Sequence, residues 1–205
     1  MADPTSRGFP DATRRNERAR RAILAAALSL VDETGYPGLS IEALAGRAGV
    51  GKQTIYRWWP SKAAVLLDAC QGLDEAHPDG PEPSPAPDTA DLAADLKRML
   101  RATVDELTGE RYGPPLRALA AAAACDPVLA AGLTDRLLAP RHARFERRLR
   151  TARAAGELAA DADLPLVTEL LLGSLAYRWL MGRSVLGHAD ADALVDHVLR
   201  GVSAP

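Results

Sequence analysis

Between Ser40 and Pro60 the chain sets two helix signals and two stop signals close together, and few folds accept that spacing. Ser40 is placed to cap a helix whose apolar residues Ile41, Leu44, Ala45 and Ala48 recur at i, i+3, i+4 and i+7. Gly49-Val50-Gly51 then forms a turn, Lys52 to Trp59 a short second helix, and Pro60 cannot continue it, since it lacks the amide donor. A short helix, a glycine turn and a second short helix predict the geometry in which the second helix enters a major groove while the first braces it. Leu44, Val50 and Ile55 form the small core between them in this reading. Lys52, Gln53, Thr54, Tyr56, Arg57 and Trp58 are left on the outer sides. Their chemistry suits DNA: Gln53 and Arg57 can pair with base edges, the Thr54 methyl can touch a thymine methyl, and Tyr56 and Lys62 suit phosphate oxygens.

The rest of the chain predicts more helices and no sheet, because Ala, Leu and Arg dominate its 205 residues, aromatics make up 4%, and alternating β-branched runs are missing. An all-α fold of about nine helices is expected. The first runs from about Thr13 to Glu33 and ends in Thr34 to Gly38; Ser61 caps a fourth from Lys62 to Glu75. Five prolines between His77 and Pro87 mark a linker. Beyond it, helices are expected over 89–108, 115–125, 127–155 with Asp126 as cap and Pro140 as a kink or break, 163–182 and 189–202. The division that follows is an N-terminal arm over 1–13, a DNA-binding domain over 14–75, a linker over 76–88 and a C-terminal domain over 89–205.

Charge separates the ends of the chain. Residues 1–62 carry 10 Lys and Arg against 6 Asp and Glu, whereas residues 63–205 carry 15 against 21. A basic start on an acidic body fits a nucleic-acid contact at one end. Arg14, Arg15, Arg18, Arg20 and Arg21 offer further phosphate or minor-groove contacts, though a solvated charge run is the commoner use. No apolar run is long enough to span a bilayer, so a membrane partner is not expected and the chain reads as cytoplasmic. Cys70 and Cys125 have neither metal nor redox spacing and read as buried free thiols. His77, His142, His188 and His197 are scattered, so neither metal nor cofactor is expected.

The run from Leu44 to Val50, followed by Thr54 to Lys62, resembles the TetR repressor family, in which a tyrosine, an aromatic three residues on and a lysine three further recur together. Here they stand as Tyr56, Trp59 and Lys62. The resemblance covers residues 14–75 and extends more thinly through the segment from Asp126-Pro127 to Gly156-Glu157-Leu158. It implies that Thr54, Tyr56 and Lys62 touch the DNA backbone, that Lys52, Gln53, Arg57 and Trp58 face base edges, and that Trp59 is mostly core. Two positions depart from the family pattern: Gly51 stands where a serine or threonine cap is usual, and Trp58 where a histidine is common. The operator sequence therefore does not carry over.

The resemblance also implies a C-terminal effector pocket and a homodimer. Independently of it, Leu166, Val167, Leu170, Leu171, Leu172, Leu175, Leu180 and Met181 give one helix more apolar surface than a single stripe buries. The expected dimer face comprises Leu166, Leu170, Gly173, Ala176, Leu180, Leu194 and Val198, in a four-helix interface. Met99, Tyr112, His142, Phe145, Tyr177 and Trp179 are the sparse large or polar groups available to shape a pocket for a hydrophobic or amphipathic effector. The function expected is a regulator, most simply a repressor, bound as a dimer to a palindromic double-stranded DNA operator and released by that effector. An activator of the same fold is the alternative, as is a small-molecule-binding protein without DNA binding. An enzyme is not expected, since neither Cys125 nor any histidine has a recognisable catalytic partner.

Overall fold

In the computed structural model, residues 12–75, 89–182 and 186–202 are described. The expected linker lies outside them, and so does almost all of the expected N-terminal arm. The chain divides into two compact units, Met1–Ala69 and Cys70–Pro205. Among the described residues there are nine helices and no strand, as the composition and spacing led us to expect.

The first unit holds α1 (Ala12–Gly38), α2 (Ile41–Ala48), α3 (Lys52–Tyr56) and the start of α4 (Lys62–Glu75). Within α1, Gly35 takes φ 68°, a left-handed conformation that glycine adopts without a Cβ clash, and it turns the chain towards Pro37. α1 packs on α2, and α2 on α3. Ile23, Ala27, Leu39, Leu44 and Ile55 are buried between these elements. Val50, expected in the same core, is only half-buried, because it lies in the turn rather than on a helix face.

The second unit is built around α5 (Leu92–Thr108), which contacts α6 (Gly113–Ala123), α7, α8 (Leu164–Met181) and α9 (His188–Val202). α7 is continuous from Pro127 to Ala154 but contains a π-helical turn, Thr134–Leu138, between α-helical stretches Pro127–Leu133 and Ala139–Ala154. Asp126 caps it by accepting from the amides of Val128 and Leu129. Pro140 therefore does not end this helix. The wider turn just before it accommodates the ring and the missing amide donor. α5 starts at Leu92 rather than Thr89, since Asp91 is the cap and accepts from the Ala94 amide at 2.9 Å. α6 starts earlier than expected, with its prolines in the first turn, where no amide donor is needed.

Two charged arrangements fasten this unit. Along α5, Lys97, Arg101 and Asp105 face Asp196, Asp192 and His188 of the antiparallel α9, a ladder with one rung per helical turn. Deeper in, Arg148 of α7 donates from Nε to Asp95 of α5 at 2.8 Å, and the amide and hydroxyl of Thr89 donate to the same carboxylate. Both members are almost completely buried. Burial alone raises the Asp95 pKa, but the hydrogen bonds from Arg148 and Thr89 outweigh it and hold the carboxyl below its ordinary value. Cys70 is buried, but Cys125 is exposed, contrary to expectation, because it lies past the end of α6 in the turn before Asp126.

Candidate nucleic-acid interface and helical cavity

The outer side of α3 follows from how its ends are made. Ser40 Oγ accepts from the Ala43 amide at 3.1 Å and starts α2. Gly49, at φ 65°, ends it, and the Val50 amide returns to the Ala45 carbonyl at 3.0 Å. Gly51 opens α3 in an extended conformation with no side-chain cap, as its departure from the family pattern implied. Ile55 and Trp59 then point inward, and Lys52, Gln53, Tyr56 and Arg57 point outward, with Thr54 and Trp58 half-buried.

These outer residues are held by neighbours that sequence spacing does not reveal. Arg57 lies 4.8 Å from the Trp58 ring centroid, and its Nη2 donates to Asn16 Oδ1 of α1 at 3.2 Å. Lys52 pairs with Glu42 of α2. Lys62 donates to the carbonyls of Leu39 at 2.7 Å and Tyr36 at 3.2 Å, with its ammonium over the Tyr36 ring, so it ties α4 to the loop before α2. Trp59 Nε1 donates to Asp68 of α4 at 2.8 Å, and Arg20 of α1 bonds the same oxygen at 3.2 Å. On the side of α2, Arg47 forks onto Glu33 with two bonds of 2.7 Å. Those bonds, helped by Ser29, lower the Glu33 pKa to about 2. Of the leading arginines, Arg18 and Arg21 are exposed, and the side chains of Arg14 and Arg15 lie outside those described.

In the second unit a cavity of about 550 Å³ opens between α5, α6, α7 and α8. Thr103 and Leu107 line it from α5, Leu116 and Ala120 from α6, Leu133, Leu138, Arg141 and His142 from α7, and Leu172, Ala176 and Trp179 from α8. Of the six residues expected to shape a pocket, His142 and Trp179 lie on its wall. Met99, Tyr112 and Phe145 are buried away from that wall, and Tyr177 is 52% exposed on the outer side of α8. The charged pair of Arg141 and Glu106, 2.7 Å apart and largely buried, was missed entirely. Arg141 adjoins His142 in sequence, which was the one available signal. Its partner lies 35 positions away.

α8 presents three sides, which follow from its 100° step per residue. Val167, Thr168, Leu171 and Leu175 are buried in the unit. Leu172, Ala176 and Trp179 turn to the cavity. Leu166, Leu170, Tyr177 and Met181 are exposed in a stripe bordered by Gly173, which is exposed and also lines the cavity. Of the other residues expected on a dimer face, Leu180 is 38% exposed and lines the cavity, Ala176 is half-buried, and Leu194 and Val198 are half-buried one turn apart on α9.

A braced recognition helix in one unit and a helical cavity in the other define a helix-turn-helix DNA-binding regulator. Residues 23–69 match the profile of bacterial regulatory proteins of the tetR family, and residues 86–198 match that of the tetracyclin repressor-like C-terminal domain. The uncharacterized HTH-type transcriptional regulator YdeS of Bacillus subtilis is 30% identical over 98% of this chain and 96% of its own. The DNA-binding transcriptional repressor TetR of Mycobacteroides abscessus is 30% identical over 90% of this chain and 94% of its own. A crystal structure of a TetR family transcription regulator superposes with a TM-score of 0.69 at 34% identity, covering 91% of this chain and all of the other. The chain belongs to the TetR family of DNA-binding transcriptional regulators. Among the described residues, no helix is long and apolar enough to cross a membrane.

Proposed function

We propose that two copies of this chain, joined through the outer stripe of α8 and the adjoining side of α9, repress transcription from a palindromic operator until a small molecule fills the cavity. The observation that carries this reading is the pairing of an outward, tethered α3 with a largely apolar cavity in one chain. Gln53, Arg57, Trp58 and Lys52 read base edges; Thr54, Tyr56 and Lys62 meet phosphates, with Lys62 also bracing the loop before α2. Repression rather than activation is favoured by the M. abscessus relative, which is described as a repressor. A regulator of this kind works in the cytoplasm, where its operator is.

A chain of bonds supports the coupling. Leu133 and Leu138, on the cavity wall, stand just before the π turn of α7 and at its end. In that turn Arg136 donates from Nε to Gln71 of α4 at 2.9 Å. Three residues earlier on α4, Asp68 holds Trp59 at the end of the reading segment. A ligand that repacks the π turn shifts α4, and α4 shifts α3. Half-sites lie about 34–36 Å apart on DNA, so a small change in the separation of two α3 helices breaks the match.

Selection of bound sequences from a random DNA pool tests the reading. Palindromic winners with half-sites about one turn apart are expected, with affinity falling steeply as salt rises. A pool that yields no enriched sequence at low salt overturns it.

A further inference from the structure

We infer that the Glu106–Arg141 pair makes the cavity selective for uncharged, mostly apolar molecules carrying a hydroxyl group, an alcohol or phenol rather than an acid or an amine. The inference rests on the reading of this cavity as the effector site. Arg141 is the sole Lys or Arg among the described residues of the wall, and its charge is already matched by Glu106 at 2.7 Å. A carboxylate entering the cavity would leave water without gaining an unmatched cation, and desolvating an ion costs several kcal/mol. It would also approach the exposed Glu169 of the wall. An ammonium would approach the Arg141 guanidinium, with only the solvent-screened Glu169 to attract it.

The other polar groups narrow the class further. Thr103 spends its hydroxyl proton on the Met99 carbonyl. His142 Nδ1 is 2.8 Å from the Leu138 carbonyl, which can only accept, so Nδ1 carries a proton and the tautomer with a single ring proton has Nε2 as its acceptor. A hydroxyl can donate to this acceptor, and the aliphatic walls and Trp179 take the rest of the molecule.

Calorimetric titration of the full-length protein with decan-1-ol, decyl methyl ether, decanoate and decylammonium tests this. Decan-1-ol is expected to bind at least about tenfold more tightly than either ion and more tightly than the ether. His142→Phe should erase the preference of alcohol over ether, and Glu106→Gln, by unmasking Arg141, should raise decanoate affinity at least about tenfold without helping decylammonium. Decanoate or decylammonium equalling the alcohol in the wild type, or no binding by any probe, overturns the inference. So does a folded Glu106→Gln protein whose order of preference is unchanged; should that variant fail to fold, the wild-type series decides. Release of selected DNA is read separately by mobility shift. Alcohol binding without release overturns the proposed effector response and leaves the charge selectivity standing.

Discussion

Arg57 reaches towards solvent with Trp58 beneath its guanidinium and Asn16 at its Nη2, so its direction is set by two residues, one of them on another helix. An arginine held in this way loses less side-chain freedom when it docks on a base. Asn16→Ala is therefore expected to weaken operator binding about two- to tenfold, the worth of one hydrogen bond. It should also relax the base preference at the Arg57 position, an effect that vanishes when Arg57 is already alanine; selection profiles of the variants check this. Gln53→Ala should cost about 1–3 kcal/mol on the selected operator and broaden one base position. Tyr56→Phe should instead weaken all sequences alike, by about 0.5–1.5 kcal/mol. Competition binding against scrambled DNA separates the two patterns.

Helices in this chain are positioned by charge as well as by apolar faces, and Asp95–Arg148 is the deepest case. Removing one partner leaves a buried charge unmatched, so Asp95→Asn or Arg148→Met should each cost about 3–5 kcal/mol in denaturant unfolding. Replacing both, with Asp95→Leu and Arg148→Met, should recover most of that loss. The pH dependence has a definite sign. Since the folded pKa of Asp95 lies below its ordinary 3.8, its contribution is complete above about pH 4 and is lost as pH falls through the folded value. Acid unfolding of the double variant should lack that component. The sides of α8 show why an apolar helix defeats periodicity: core, cavity and outer stripe together make most of its circumference apolar, so no single stripe stands out.

At the level of the assembled regulator, the proposed function gives the outer stripe of α8 and the bonds along α4 separate jobs. Leu170→Glu places a charge in the exposed stripe and should leave each unit folded by circular dichroism. Sedimentation should then find monomer, and operator affinity should drop because each half-site is bound alone. Gln71→Ala removes a partner of Arg136 without touching α3 or the cavity wall. Operator and ligand affinities measured separately should stay within about twofold of wild type, while the loss of operator affinity on saturating ligand, commonly worth about 1–3 kcal/mol, should shrink. Unchanged release would mean that the signal travels by another route.

The sequence by itself determined the helices and the reading segment, because both depend on local rules. A serine cap, a 3.6-residue apolar period, glycine turns and prolines act within a few positions, so α2, α4 and the outer residues of α3 were legible. The tertiary structure decided what depends on pairs distant in the chain. It joined Arg141 to Glu106, Arg57 to Asn16 and Arg136 to Gln71, kept Met99, Tyr112 and Phe145 off the cavity wall, and accommodated Pro140 just after a π turn. No local pattern encodes those meetings, since any of several helices could supply the opposite charge or the covering side chain. The helix-turn-helix could be read from 21 consecutive residues; the lining of the cavity could not, because four helices converge to make it.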